Sequence, residues 1–260
     1  MALVSDDFSS YSSTADLLNR VTANSGGTAS DATALYREEG YAINLVSLDR
    51  TVLYNGHPTM KYTQPGGVAT SPVMRVSFPS RAHIWYRVKV RFSPGFTTTG
   101  TLNAANAYKL LSWGWLGGYE GSGRLEITNT TQYELYEGAK PAQGSTTPAS
   151  SYSNTNWVMD GNITTEWTDG GWYDYIIEVD HSQPVGMIRL WRSKDGQTPV
   201  FRGQAPEQMQ DGTLMPAVST VTVGLNFNQI RLPNQNQAVW WGQWEVVDGT
   251  QHPNPFGVSH

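Results

Sequence analysis

Apolar and polar residues alternate along several short segments of the chain. The clearest segment covers residues 85–92, in which four apolar residues alternate with three basic ones: Tyr86, Val88, Val90 and Phe92 against Arg87, Lys89 and Arg91. Because successive side chains of a strand point to opposite faces, this pattern predicts a strand with one core face and one basic face. Residues 172–180 alternate in the same way, except that Ile176 interrupts the polar face. We therefore expect that face to be partly covered.

Other segments complete a β-rich pattern. Asp195-Gly196 separates two strand-like runs and predicts a hairpin over residues 187–202, since Gly196 tolerates a positive φ. Residues 13–21 alone indicate a helix, with Ser13 or Thr14 as its cap. Further strands are predicted at residues 42–45, 59–63, 74–78, 108–115, 124–128, 133–136, 220–227 and 239–247. The pattern predicts an all-β sandwich with at most one short helix near the N-terminus.

Composition limits the classes of protein. The 260 residues are 38% hydrophobic and 15% charged, carry a net charge of -5 and include no cysteine. We expect a folded, soluble protein without disulfides, since no apolar run reaches the ~18 residues of a membrane span. The acidic balance argues against a nucleic-acid partner. One domain is predicted over residues 1–250, with an exposed Gly/Ser/Pro-rich loop around 138–156 and an extended tail at 251–260.

Five stretches of the chain carry a resemblance to a known family. They are residues 7–11, 84–95, 108–113, 186–191 and the Trp-rich segment 240–244. Their strand rhythm and aromatic placement resemble the concanavalin A-like jelly-roll superfamily, in the polysaccharide-lyase-like branch that includes many unassigned phage and environmental proteins. The resemblance implies two antiparallel sheets packed face to face. It also implies that the first and last strands lie together, which brings Phe8 near Trp244.

The same resemblance implies a possible lyase chemistry. A polysaccharide lyase abstracts a proton beside a uronate carboxylate, so it needs a cation for the carboxylate and a base for the proton. The row of Arg87, Lys89 and Arg91 can supply the cations, and the candidate bases are Tyr108, Lys109 and His181, with His83 a further proton carrier. The chain has no Gln-x-His strand of the alginate-lyase type, and its last strand offers Trp instead of Tyr. The basic row therefore also fits a solvated outer face or a protected sheet edge.

Hydrolysis has weaker support. The retaining glucanases of this fold place carboxylates at Glu-x-Asp-x-x-Glu, and Glu178-Val-Asp180 has the first two but lacks the third. The chain contains no Gly-x-Ser-x-Gly, His-Glu-x-x-His, P-loop or dinucleotide motif.

Aromatic residues suggest where a glycan binds. Exposed Trp and Tyr suit the C–H faces of sugar rings, although we expect at least half of the 10 Trp to be buried. The residues in loop-like surroundings are Trp115, Tyr119, Tyr152, Trp157 and Trp167. No cofactor is expected apart from a weak calcium candidate. Asp6, Asp7 and Asp248 lie together if the terminal strands pair, although such residues more often cap turns.

Three functions remain open at this stage. The favoured hypothesis is a non-catalytic binding or structural protein on a phage virion surface, made in the host cytoplasm without a signal peptide. Its expected partners are other virion proteins or host glycans, in a homo-oligomer or on the particle. The alternatives are a lyase that cleaves a uronate-containing polysaccharide by β-elimination and a free carbohydrate-binding module or lectin. Either is extracellular if a signal has been removed.

Overall fold

Two β-sheets packed against each other form the molecule. The computed structural model describes residues 2–22, 36–38, 43–66, 73–96, 107–114, 123–128, 132–137, 157–161, 169–207, 217–224, 226–227 and 236–259. The predicted loop around 138–156 lies outside these residues. Within them, no helix is long and apolar enough to cross a membrane.

Sheet A contains eight strands within the described residues. Seven follow the order β14-β13-β12-β7-β17-β5-β4, and β1 pairs with β17 beside β5. The strands are β1 (Ala2–Asp6), β4 (Val46–Tyr54), β5 (His57–Gln64), β7 (His83–Phe92), β12 (Trp172–Asp180), β13 (Gly186–Lys194), β14 (Val200–Glu207) and β17 (Gln237–Asp248). All of their pairings are antiparallel.

Sheet B contains nine strands within the described residues, eight of them in the order β11-β10-β9-β8-β15-β6-β3-β2. The strands are β2 (Val21–Thr22), β3 (Tyr36–Glu38), β6 (Val73–Arg81), β8 (Ala107–Gly114), β9 (Gly123–Thr128), β10 (Gln132–Glu137), β11 (Trp157–Gly161), β15 (Val218–Gly224) and β16 (Asn226–Phe227). Among these described strands, only the short pair β2 and β3 is parallel. The predicted all-β sandwich is confirmed.

Two local predictions need correction at their boundaries. The helix covers only Thr14–Leu18, where the side chain of Ser13 accepts a hydrogen bond from the amide of Asp16 at 3.1 Å. It ends earlier than predicted because Val21 already belongs to β2. The segment predicted as a strand at residues 42–45 instead forms a 3-10 turn at Ile43–Leu45, and the strand starts at Val46.

The core between the sheets confirms the alternation in the sequence. Tyr86, Val88, Val90 and Phe92 of β7 are all buried there, opposite Met74 and Val76 of sheet B and other apolar residues. Tyr173, Tyr175, Ile177 and Val179 of β12 share this core. The remaining side chains of β7 and β12 therefore point away from sheet B, onto what we call the outer face of sheet A.

Five of the six Trp side chains that the structure describes are buried, but not mainly between the sheets. Among the described side chains, Trp241 and Trp244 belong to the core between the sheets. Trp85 and Trp191 pack in a second cluster with Ile176 on the outer face. The apolar residue at position 176 predicted that the polar face of this strand is partly covered, and the cluster confirms that prediction.

The first and last strands pair, and their register corrects the calcium prediction. Antiparallel pairing puts Asp6 opposite Trp244, whereas Val247, the neighbour of Asp248, lies opposite Ala2. Asp6 and Asp248 are therefore at opposite ends of the paired segment. Asp6 instead accepts hydrogen bonds from the hydroxyls of Tyr11 at 2.6 Å and Tyr36 at 2.7 Å. As the resemblance implied, Phe8 and Trp244 share one core.

The hairpin between β4 and β5 curls over the outer face of sheet A. Asn55 and Gly56 form its turn with φ of 50° and 83°, the left-handed conformation that an Asn-Gly hairpin turn requires. The hairpin places Tyr54 directly on Gly242 of β17, where a Cβ atom would lie 2.5 Å from the Tyr54 side chain. Glycine at this position is what allows Tyr54 to reach the outer face.

The C-terminal segment after β17 covers the other end of this face. Val258 is buried in the outer cluster, and Phe256 packs against it. The indole of Trp191 donates a hydrogen bond to the carbonyl of Ser259 at 2.8 Å. The segment predicted as an extended tail, residues 251–260, thus docks onto its own chain through these contacts.

Candidate functional site

The outer face of sheet A carries the basic row that the sequence singled out. Arg87, Lys89 and Arg91 are alternate residues of β7, which lies between β12 and β17. The side chains that surround the row therefore come from these two neighbouring strands, from the β4–β5 hairpin and from the tail. The three cations have different surroundings, and these decide what each can do.

Arg87 and Lys89 are held by ion pairs within the protein. Arg87 donates to Asp174 through Nε at 3.0 Å and through Nη2 at 2.7 Å, and Lys89 Nζ lies 2.8 Å from the same carboxylate. Lys89 also donates to Asp195 at 2.6 Å. The side chains of Lys89 and Asp174 are only 8% and 4% exposed. This network neutralises two of the three cations and buries one of them.

The network also perturbs the acid–base behaviour of its cations. Burial lowers the pKa of Lys89, but the nearby carboxylates of Asp174 and Asp195 outweigh it, and the pKa is raised. The same balance, with Asp174 as the main partner, raises the pKa of Arg87. Both side chains therefore stay charged over the whole physiological range.

Tyr54 closes the network at one end. Its hydroxyl donates to Asp195 at 3.2 Å, its ring lies 6.0 Å from Lys89 Nζ, and Trp172 meets it edge to face at 5.1 Å. At the other end, Phe256 of the tail lies 5.1 Å from the guanidinium of Arg87. The hairpin and the tail thus limit the access of a ligand to Arg87 and Lys89.

Arg91 lies outside this network. Its guanidinium is 5.7 Å from the ring of Trp240, and Lys61 Nζ approaches the same ring at 5.5 Å. The Trp240 indole donates to Asp49 at 2.9 Å, which fixes its position between the two cations. The register places Arg91 opposite Trp172 on β12 and opposite Trp240 on β17. This end of the face therefore combines basic and aromatic groups.

A second charged cluster lies near the beginning of β7. Glu178 is the acceptor for His83 Nε2 at 2.9 Å and for Arg189 Nη1 at 2.6 Å. Burial raises the pKa of Glu178, but the hydrogen bonds from His83 and Arg189 outweigh it and hold the pKa below its usual value. Asp180, the other carboxylate of the Glu-x-Asp pair, instead accepts from Ser182. Each carboxylate thus already has partners of its own.

The candidate bases do not converge on the basic row. Tyr108 and Lys109 lie on β8 of sheet B, opposite Ile127 and Glu126 of β9. His181 follows β12 in sheet A, is 1% exposed, and its amide donates to the carbonyl of Ala82. The row itself faces away from sheet B. The backbone of β8 therefore lies in the other sheet from the basic row, and the catalytic roles of Tyr108, Lys109 and His181 stay predictions.

Several other predicted residues fall outside what the structure describes. Trp115, Tyr119, Tyr152 and Trp167 belong to segments that are not described, and of Trp157 only its backbone position at the start of β11 is described. Their role in glycan binding stays a prediction.

The calcium candidates each have other partners. Asp7 accepts from the amide and hydroxyl of Ser9, and Asp248 accepts from Arg81 Nε at 2.6 Å. Among the residues that the structure describes, no group of three or more acidic, His or Cys residues is placed to hold a metal ion. The expectation that Asp6, Asp7 and Asp248 share a site is therefore wrong, because antiparallel register separates the ends of the strands.

Sequence reasoning missed the hairpin that brings Tyr54 to the site. The signal was present, since Asn55-Gly56 is the strongest short-range indicator of a two-residue hairpin. It also missed Asp174 as the partner of the basic row. That carboxylate sits on the polar face of a predicted strand, but nothing local indicates that β12 pairs with β7.

Comparison with known proteins identifies the fold. No family model and no curated protein sequence matches the chain. The PL-14 alginate lyase from Aplysia kurodai superposes with a TM-score of 0.59 at 10% identity, covering 95% of this chain and 99% of that chain. A glycoside hydrolase family 131 catalytic domain from Coprinopsis cinerea gives 0.54 at 15% identity, covering 95% and 94%.

A GH131 β-glucanase catalytic domain from Podospora anserina also superposes, with a TM-score of 0.54 at 12% identity over 96% of both chains. Identities this low show a shared fold and not a shared activity. The chain has the concanavalin A-like jelly-roll fold, the fold of these polysaccharide-active enzymes, as the resemblance in its sequence implied.

Proposed function

We propose that this protein binds polysaccharide on its jelly-roll sandwich without cleaving it. The observation that carries the proposal is the whole-length likeness to solved proteins named for polysaccharide chemistry. An alginate lyase and two GH131 domains share the fold over 94–99% of their own lengths. Likeness over whole chains supports a common use of the sandwich as a platform for extended sugar polymers.

The surroundings of the basic row favour binding over elimination at the outer face of sheet A. Arg87 and Lys89 are committed to Asp174, so they serve the structure of the face. The candidate bases Tyr108 and Lys109 lie on the other sheet. A β-elimination site needs the cation and the base on either side of one sugar.

A binding and turnover experiment tests the proposal. Alginate, polygalacturonate and a neutral β-glucan are titrated into the folded protein by calorimetry, and ultraviolet absorbance is followed for the unsaturated product of elimination. Heat-unfolded protein is the control for nonspecific association. We expect saturable binding of at least one polymer and a flat absorbance trace. Absence of binding across the panel, from protein shown to be folded, overturns the proposal.

Polysaccharide lyase is the second candidate. The specific observation in its favour is that an alginate lyase aligns with nearly the whole chain. A steady rise in absorbance that is lost when Tyr108 or Lys109 is changed to Phe or Ala, respectively, favours this candidate and contradicts the first.

The setting that we propose is the surface of a phage particle, where the protein decorates the capsid or contacts host glycans as part of a homo-oligomeric assembly. This part of the proposal rests on the sequence, which resembles unassigned phage proteins. Mass spectrometry of purified particles from the source tests it, because a particle protein copurifies at constant stoichiometry through a density gradient. Loss of the protein from the particle fraction contradicts it.

A further inference from the structure

Arg91 is the member of the basic row that has no counter-ion among the described residues. Arg87 and Lys89 both contact Asp174, whereas no carboxylate of the described residues lies within 4.0 Å of Arg91. Its Nε atom is buried and has no hydrogen-bond partner among the described residues. The Nη atoms, which are not among the buried unpartnered atoms, are therefore the donors that Arg91 offers to a ligand.

The residues beside Arg91 hold its guanidinium in place. Arg91 and Lys61 approach the Trp240 ring within 5.7 and 5.5 Å, as cation–π contacts require. Trp240 cannot rotate freely, because its indole nitrogen donates to Asp49. The register puts Trp172 on the opposite side of Arg91 from Trp240, and that ring is only half-buried. The site is therefore formed by side chains of four adjacent strands of sheet A, β12, β7, β17 and β5.

The charge at this end is not balanced by the nearby acid. Asp49 lies 3.7 Å from Lys61 and also accepts from Thr51, Val52 and Trp240. Burial raises its pKa, but the hydrogen bonds from Thr51 and Trp240 outweigh it, so Asp49 is ionised. One carboxylate thus faces two cations, and it contacts Lys61 only. The surplus positive charge belongs to Arg91.

We propose that Arg91, Lys61 and the flanking Trp172 form a subsite for the carboxylate of an acidic sugar unit. A guanidinium binds a carboxylate through two parallel hydrogen bonds, and the two Nη atoms of Arg91 can form this pair while Nε stays buried. Trp172 offers an apolar face to the C–H surface of the same sugar ring. The inference rests on the proposed function and deepens it, since it assigns uronate-containing polymers and a particular end of sheet A.

The test compares variants of Arg91 in binding to alginate at about 0.15 M salt, where surface charges are well screened. Arg91→Ala removes the guanidinium, and Arg91→Lys keeps the charge but loses the paired donors. Lys194→Ala is the matched control, because it removes one positive charge from the same sheet at an exposed pair with Asp169. Circular dichroism and the unfolding midpoint verify that each variant is folded.

We expect Arg91→Ala to weaken alginate binding by about 10-fold to 100-fold, the range for a hydrogen bond to a charged group. Arg91→Lys gives an intermediate loss, and Lys194→Ala changes the affinity less than about 2-fold. Binding of a neutral β-glucan is unchanged in all three variants.

Two results overturn the inference and leave the proposed function standing. One is alginate binding that Arg91→Ala leaves unchanged. The other is a loss of dextran sulfate binding by Arg91→Ala that equals its loss of alginate binding. That result indicates a general anion site and not a carboxylate subsite. Absence of binding to every polymer by the unmodified protein is a different result, since it contradicts the proposed function itself.

Discussion

Replacing Asp174 with Asn tests the ion-pair network of the outer face most directly. The substitution keeps the shape of the side chain but removes the charge that Arg87 and Lys89 share. Lys89 then keeps only Asp195, whose side chain is 27% exposed, and Arg87 loses its three contacts with the carboxylate. The variant thus leaves the two cations with the partly solvated Asp195 and with Glu245, which lies opposite Arg87 on β17 and interacts electrostatically with both cations.

The burial of the three groups sets the expected magnitude. Removing one partner of a buried ion pair costs about 3–5 kcal/mol, because the remaining charge stays desolvated. Lys89 is 8% exposed, but Arg87 is 30% exposed and is partly rehydrated when Asp174 is neutralised. We therefore expect the lower end of the range, a loss of about 3 kcal/mol in the free energy of unfolding.

Urea unfolding followed by circular dichroism measures this loss, with the midpoint compared at constant m value. The double variant Asp174→Asn/Lys89→Met is expected to be less destabilised than the sum of the two single variants, because it no longer contains the unpaired ammonium. Lys194→Met is the control, since its pair with Asp169 is 50% and 34% exposed and contributes about 0–1 kcal/mol.

The reasoning is refuted if Asp174→Asn costs less than about 1 kcal/mol, or no more than Lys194→Met. Either result means that the network is as well hydrated as an ordinary surface pair. An additive double variant contradicts it as well, because additivity shows that Asp174 and Lys89 do not interact.

Two further predictions concern other polar clusters. The folded-state pKa of Glu178 lies below its unfolded value of about 4.3. Its ionised form therefore stabilises the folded protein above that pH, and this contribution is lost as the pH falls through the folded-state pKa. The stability difference between the wild type and Glu178→Gln in urea is expected to shrink below about pH 4.3; a constant difference contradicts the ion-pair assignment. Tyr36→Phe removes the hydrogen bond to Asp6 and the acceptor of the Trp244 indole. We expect a loss of about 1.5–3 kcal/mol in the free energy of unfolding, measured by thermal or urea unfolding. A loss below about 0.5 kcal/mol contradicts a role for the hydroxyl.

The sequence by itself determined the local features of the fold. Alternation with a period of two identified β7 and β12 and the core side of each, because strand geometry sends successive side chains to opposite faces. Gly196, with φ of 80°, marks the turn of the predicted hairpin. The helix cap was narrowed to Ser13 or Thr14, and Ser13 is the cap, since its hydroxyl accepts from the amide of Asp16. Each of these features depends only on residues a few positions apart.

Only the tertiary structure decided which charges meet. Asp174 lies 87 residues from Arg87 along the chain, and Asp195 lies 106 residues from Lys89. The order of strands β12, β7 and β17 brings these groups together, and their register gives Arg91 two Trp neighbours instead of a carboxylate. The same kind of register separated Asp6 from Asp248. Periodicity assigns a side chain to a face, but strand order and register, which depend on contacts between distant segments, decide its neighbours.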